Sequence, residues 1–290
     1  AKVSGNRVGS SVVDFIPSNI SAQRLSANVG TAGSVALVLQ AAAFPMLASV
    51  SRLRVSGGTD VAFAPPIDFW SQVLLPSLSR MGCRFELVLS SRGYYPKGGG
   101  IVSFASKPAK FPLKPISITE SGSLKSVFAV SHCASLPLEV AQRQAASAKK
   151  ALSGLVVAWD ASIDAKEDSF SKGSGLSLFG QLSTGAILSG SALGAKGKPA
   201  ENVGLEAAQM LKNQLDSNRP CDSFLADQLI PFLALAKGKS VLSVSKLDVH
   251  VFSNISVCEK LLDCSFEVEG IEGESGDIRC HGVGFVPVER

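Results

Sequence analysis

His250 is the side chain in this sequence with the clearest setting for a nucleophile. Lys246-Leu247-Asp248-Val249 reads as a strand that His250 ends, and a helix is expected to begin near Ser253 or Asn254, whose side chains can cap it. A helix start presents unpaired N–H groups and partial positive charge, which favour a phosphate and disfavour imidazolium. An imidazole held neutral there could attack phosphorus. The immediate neighbours of His250 fit a structural histidine as well. His132 and His281, each beside a cysteine in strand-like surroundings, carry no comparable signal.

Two other segments could carry chemistry. Arg92-Gly93-Tyr94-Tyr95-Pro96-Lys97-Gly98-Gly99-Gly100 sets two cations around two aromatics and closes on three glycines. Arg can grip a phosphate bidentately, Tyr can stack on a base, and glycines let backbone amides approach a ligand. A hairpin loop with a glycine bulge, between strands at 84–90 and 101–104, is the plainer account. Asp227 and Gln228 follow a helix start capped by Asp222 or Ser223. Apolar Leu225 and Leu229 flank them, which puts the pair near the boundary of a core; an exposed helical stripe is the plainer account.

The elements that must hold these residues alternate between helix and strand. Thr31 can cap a helix that carries Gln40 and runs to about residue 48. A strand is expected at 52–55, and Pro65 and Pro66 open a second helix that ends near Gly82. The helix with Asp227 reaches about Ala236 and leads to a strand at 240–244. Gln40-Ala41-Ala42-Ala43-Phe44-Pro45, Gln72-Val73-Leu74-Leu75-Pro76 and Gln228-Leu229-Ile230-Pro231 share a pattern, which suggests repeated helix-plus-strand units. Between about 124 and 219 the texture changes. Strands are expected at 126–130, 155–159 and 176–182, helices at 137–152 and 200–215, and a polar, mobile loop at 166–175. A further strand is expected at 7–15.

Composition narrows the class. With 290 residues, 46% hydrophobic and 18% charged, the chain can build one large or two ordinary domains and is not globally disordered. A formal net charge of +4 fits a polyanionic partner without identifying one. No run reaches the roughly 20 apolar residues of a membrane helix, so no membrane partner is expected. The six cysteines have neither a Cys-x-x-Cys pair nor zinc-site spacing and read as reduced thiols of an intracellular protein. Gly194-Ala195-Lys196-Gly197-Lys198 lacks the Walker pattern, and Arg143, Lys149 and Lys150 read as a solvated helix face.

Residues 92–100 closely resemble the signature of the RNA 3'-terminal phosphate cyclases, and the resemblance continues in order along the chain. Its motifs are Thr31-Ala32-Gly33-Ser34, Gly57-Gly58-Thr59-Asp60, Ala64-Pro65-Pro66-Ile67-Asp68, Gly204-Leu205-Glu206-Ala207-Ala208, Phe224-Leu225-Ala226-Asp227-Gln228, and His250 before Ser253-Asn254. The resemblance implies an α+β fold of repeated βαβαββ units, two helices on a four-stranded sheet as in the enolpyruvyl transferases, with a smaller inserted α/β domain. The corresponding division is 1–124 for the first repeat units, the first of them incomplete, 125–219 for the inserted domain, and 220–290 for the final repeat.

The resemblance also implies a function, the ATP-dependent conversion of an RNA 3'-phosphate to a 2',3'-cyclic phosphate. His250 matches the nucleophile that takes AMP from ATP. Phe224, Leu225, Ala226, Asp227 and Gln228 match the nucleotide pocket, and Gln40 and Pro65 match two further nucleotide contacts. Relatives often carry Tyr where this chain has Phe224, a change that keeps stacking and loses a hydroxyl hydrogen bond. Arg92, Tyr94 and Lys97 are expected either at the RNA end or in structural roles. Mg²⁺ is expected beside ATP, with its ligands unassigned. An RNA with a 3'-phosphate is the expected partner, nucleus or cytoplasm the expected setting, and the oligomeric state is open. The chain opens at Ala1 and reads as cut inside a domain, ahead of which relatives carry a glycine-rich strand with metal and RNA contacts. Two other families stay in view: a non-catalytic cyclase-like ribosome-assembly factor, which lacks the nucleophilic histidine, and an enolpyruvyl transferase, which needs no covalent histidine–AMP.

Overall fold

Strands that bury alternate residues and helices with apolar stripes sort the chain into three four-stranded sheets and a short hairpin, a mixed α+β architecture. The computed structural model describes residues 1–155 and 158–287. The hairpin pairs β1 (Lys2–Ser4) with β2 (Asp14–Ile16). The strand expected at 7–15 is thus a strand only at its end; the rest is the turn that joins the pair.

The next group runs β3 (Arg24–Asn28), α1 (Val35–Met46), β4 (Ser51–Gly57), a composite helix, β5 (Arg84–Ser91) and β6 (Gly100–Lys107). The sheet order is β3-β4-β6-β5, with β3 parallel to β4 and the other pairs antiparallel. Along β4, Leu53 and Val55 are buried while Arg52 and Arg54 face solvent. Ser34, not Thr31, caps α1: its side chain accepts from the Leu37 N–H, whereas Thr31 accepts from Gly33 in the preceding turn. The composite helix comprises α2 (Ile67–Phe69), a π-helical turn at Trp70–Leu74 and α3 (Leu75–Arg80). Pro76 cannot donate to the carbonyl one turn back and its ring crowds it, a conflict that the widened turn relieves. Trp70 packs edge-on against Phe104 of β6, 5.7 Å between centroids.

After β7 (Ser117–Ile118) come β8 (Leu124–Ala134), α4 (Leu138–Ala151), β9 (Ala158–Lys166), β10 (Gly173–Leu182), β11 (Ile187–Leu193) and α5 (Ala200–Asp216). Their sheet has the order β11-β10-β8-β9. α4 and α5 cover one face, burying Val127, Leu176, Leu178 and Leu211 in a core of their own. Gly204 lets the two helices touch, since a Cβ there would lie 2.4 Å from the Gln144 carbonyl oxygen. Val130 and Phe179 on the opposite face join the main core. Val156 and Val157 of the strand expected at 155–159 lie outside the described residues. The loop expected at 166–175 is trimmed from both sides by β9 and β10, and Ser171 within it is buried.

The chain continues with α6 (Ser223–Leu235), β12 (Lys237–Val244), α7 (Val249–Leu261), β13 (Ser265–Glu269) and β14 (Gly276–Val283). These strands recruit β7, giving the order β13-β14-β12-β7 with β7 parallel to β12 and the rest antiparallel. Order and direction repeat those of the β3-β4-β6-β5 sheet. α1 meets α6 through Phe44 and Phe232, 4.7 Å apart. Among the described residues no helix is long and apolar enough to cross a membrane.

Candidate functional site

Residues 246–248 are irregular rather than a strand, and α7 begins at Val249, so His250 lies inside its first turn. Asp248 caps the helix, accepting from the His250 N–H at 2.9 Å and the Val251 N–H at 3.1 Å. The amides expected to attract a phosphate are therefore engaged by a carboxylate. Ser253, expected as a cap, instead donates its hydroxyl to the Val249 carbonyl. Alternating apolar residues around Asp248 imitate a strand, but an Asp cap competes strongly for the backbone amides. The His250 side chain is exposed.

Asp222 caps α6. One carboxylate oxygen accepts from Phe224 N–H at 2.8 Å and Leu225 N–H at 3.2 Å. The other accepts from the Ser189 N–H, the Ser189 hydroxyl and the Gln214 amide, each at 2.7 Å. This fully buried group fastens the start of α6 to β11 and α5; burial raises its pKa, and those hydrogen bonds oppose the rise. One turn further on, Asp227 and Gln228 are also buried. Asn254 of α7 donates its side-chain amide to the Asp227 carbonyl at 3.1 Å. His250 lies one turn earlier on the same face of α7. Burial and the Asp248 carboxylate push the Asp227 carboxyl up to about 7, against the pull of the Gln228 amide and of His250. A buried carboxyl pushed up to about 7, on a helix bonded to the one that carries an exposed imidazole, is a combination found at reactive sites.

Phe224 is half-buried and meets Phe69 of α2 edge-on, 6.2 Å between centroids, which carries the site to the Pro65-Pro66 turn. A cavity of ≈370 Å³ opens beside it, with Phe224, Ser245, Lys246 and Asp248 among its walls. Leu225 and Ala226 are buried and serve packing. Gln40 lies half-buried on α1, one turn before Phe44, as Gln228 lies one turn before Phe232. α6 thus carries Phe224, Asp227 and Gln228, α7 carries His250 one turn from its bond to Asp227, and Gln40 and Pro65 lie on other elements; of these six residues Phe224 alone lines the cavity.

Arg92, Tyr94 and Lys97 belong to a different cluster. Arg92 is 6% exposed. It donates to Asp68 at 2.8 and 3.0 Å, to Asp60 at 3.2 Å, and through Nε to Asp164 at 2.9 Å. Burial alone would lower its pKa, but the Asp60 and Asp68 carboxylates outweigh burial and hold it well above the usual value. The buried Tyr94 hydroxyl is hydrogen-bonded to His132 Nδ1 at 2.8 Å. Burial, helped by Arg92, pushes His132 down to about 3. The ring is neutral, so the 3.3 Å contact of its Nε2 with Asp60 Oδ1 is not an ion pair. Of the two roles open to Arg92 and Tyr94, their burial favours the structural one: they anchor the glycine-rich loop to β8 and β9. Gly93 packs backbone on backbone, as a Cβ there would lie 2.3 Å from the Gly57 oxygen. Lys97 is exposed, its ammonium 5.9 Å from the Phe170 ring centroid. The acids that partner Arg92 were missed as partners, although Asp60 and Asp68 close two of the sequence motifs.

Among the described residues, Asp60, Asp68 and His132 form the one trio of His, Cys, Asp or Glu side chains with ligand atoms within 4.8 Å of one another. Arg92 already bonds both carboxylates, so the trio does not fit a magnesium ion. The cysteines are free and, except for half-buried Cys264, buried.

A profile of the family described as RNA 3'-terminal phosphate cyclase matches residues 1–268. A protein of that name from Staphylothermus marinus is 41% identical over 295 residues, covering 99% of this chain and 83% of its own length. One from Thermococcus gammatolerans is 40% identical over 282 residues, covering 96% and 80%. One from Caldivirga maquilingensis is 42% identical over 275 residues, covering 92% and 77%. With likeness of this extent along nearly its whole length, the chain belongs to the RNA 3'-terminal phosphate cyclase family.

Proposed function

We propose that the chain is an ATP-dependent RNA 3'-terminal-phosphate cyclase, a ligase that forms a phosphoric ester bond. What supports this reading most is membership of the cyclase family along nearly the whole chain, with an exposed His250 one turn from the bond that joins α7 to Asp227. His250 attacks the α-phosphorus of ATP, the α–β phosphoanhydride bond breaks, and pyrophosphate leaves. Asp227, once ionised, can hold the second ring N–H of the imidazole and offset the positive charge that develops there. The RNA 3'-phosphate then takes AMP from His250. The neighbouring 2'-hydroxyl attacks the activated phosphorus, AMP leaves, and the 2',3'-cyclic phosphate closes. The cavity beside Phe224 offers an aromatic wall for the nucleotide base and Lys246 for its phosphates. No step is assigned to protein-held magnesium, since the one candidate trio is occupied by Arg92.

The two sheets of like order and direction support reading the chain as repeated βαβαββ units with residues 125–219 as an insertion. An ATP-consuming reaction on RNA ends fits an intracellular setting. The relatives named above are archaeal and lend no support to a nuclear one. The test is incubation with ATP labelled at the α-phosphate. The parent is expected to retain label covalently and His250→Asn to retain none; label on the variant would overturn the assignment. A non-catalytic relative would stay unlabelled in both forms.

A further inference from the structure

A second cavity, of ≈220 Å³, lies between the 60–66 loop and β8, β10 and β11, with Asp60, Phe63, Pro66, His132, Ser177 and Ser191 among its walls. It shares no lining residue with the cavity beside Phe224. Two features of it are costly for the fold alone. Ser177 is 2% exposed, and its hydroxyl is a buried polar atom with no hydrogen-bond partner. Such a group persists where something else completes it. Phe63, at the rim, is fully exposed and has φ 63°, a left-handed conformation that a bulky residue rarely adopts. An aromatic ring is thus held in water on a strained backbone at the rim of the cavity that Ser177 also lines.

The charge around the cavity narrows what fits. Of the lining residues Asp60 carries a carboxylate, none is a cation and His132 is neutral, while Arg92, Asp68 and Asp164, which cluster with Asp60, lie outside the lining. The wall is net negative, which repels phosphate and favours a ligand with N–H donors. The volume equals that of on the order of seven waters, room for one planar heterocycle. The 60–66 loop runs straight into α2, whose Phe69 meets Phe224 at the wall of the other cavity.

We infer that this cavity receives one splayed-out base of the RNA strand near its reacting end, stacked on Phe63 with its edge toward Ser177. The inference rests on the cyclase reading given above. Single-stranded RNA is commonly read in this way, by aromatic stacking and contacts to base edges. The acidic wall favours bases that present amino groups, adenine, cytosine or guanine, over uracil.

The test uses binding without chemistry. A fluorescent oligoribonucleotide ending in a 3'-hydroxyl is titrated with the full chain by anisotropy, without ATP, while an abasic residue is moved along its last few positions. One position is expected to weaken binding about tenfold when abasic, and less when it carries uracil than when abasic. Phe63→Ala, a surface change, and Ser177→Val are each expected to weaken the intact strand to that level and to show no further loss with the abasic one. A flat abasic scan, or Phe63→Ala binding like the parent, overturns the inference; if Ser177→Val does not fold, Phe63→Ala decides. Self-labelling of the parent by ATP in the absence of RNA tests the enzymatic reading separately, so the two can fail independently.

Discussion

The side-chain amide of Asn254 donates to the backbone carbonyl of Asp227 across 3.1 Å, joining α7 to α6 one turn from His250. The bond sets the spacing between the helix that carries His250 and the helix that carries Asp227. On the proposed mechanism, Asn254→Ala is expected to slow AMP transfer to His250 by about tenfold while costing about 1 kcal/mol of stability. Single-turnover labelling and urea unfolding measure the two effects. An unchanged labelling rate would show that the bond braces the helices without positioning the histidine.

Asp227 gives a stability signature of its own. Its carboxyl lies near 7 in the folded chain against an ordinary 3.8, so the folded state holds the proton more tightly. Stability therefore falls as pH rises from about 4 to 7, and the ionised group costs the fold up to about 4 kcal/mol above that range. Asp227→Asn should be more stable than the parent at pH 8, with most of the difference gone at pH 4, and should label poorly. Denaturant midpoints at the two pH values check this. A variant less stable than the parent at pH 8 would contradict the raised carboxyl.

His132 should act in the opposite sense. Its folded value near 3 lies below the ordinary 6.5, so the unfolded chain binds a proton that the folded chain refuses. Stability is lost as pH falls from about 6.5 toward 3. His132→Asn should be less stable at pH 7, because the Tyr94 hydroxyl loses its partner, yet show a flatter decline with acid. Equal slopes for parent and variant between pH 6.5 and 4 would argue against a buried neutral ring.

Arg92→Lys should cost roughly 3–5 kcal/mol, the range for breaking a buried charge cluster. An ammonium cannot reproduce the planar fork that reaches Asp60, Asp68 and Asp164 together. Thermal or chemical unfolding at neutral pH measures the loss. A cost under about 1 kcal/mol would mean that solvent screens the cluster.

How much of this was legible in the sequence depended on distance along the chain. The helices carrying Gln40 and Asp227 announced themselves through apolar runs and nearby capping residues, because those signals are local. Errors arose where two local signals competed. Asp248 sits in an alternating apolar run that imitates a strand, and Ser34 rather than Thr31 supplied the oxygen that reaches a helical amide. β11 escaped notice because Ile187-Leu188-Ser189-Gly190-Ser191-Ala192-Leu193 is built of small and apolar residues without clean alternation. The roles of Arg92 and Tyr94 were hidden for another reason. Arginine, tyrosine and glycine in one loop advertise ligand chemistry, while the carboxylates and imidazole that claim them lie 24 to 72 residues away. Nothing local records such convergence.

That convergence bears on whether the sheet of β8 to β11 could be moved between proteins as a module. Asp164 comes from β9 and His132 from β8, whereas Arg92, Tyr94, Asp60 and Asp68 come from the preceding unit. Excising the sheet would leave the Tyr94 phenol without its hydrogen-bond partner and the guanidinium short of one carboxylate, at the point where the glycine-rich loop is anchored. A transplanted copy would in turn carry a buried imidazole into a host with nothing to meet it. Any lineage that lost or exchanged this sheet would have had to rewrite the residues around 60, 68 and 92 in the same episode.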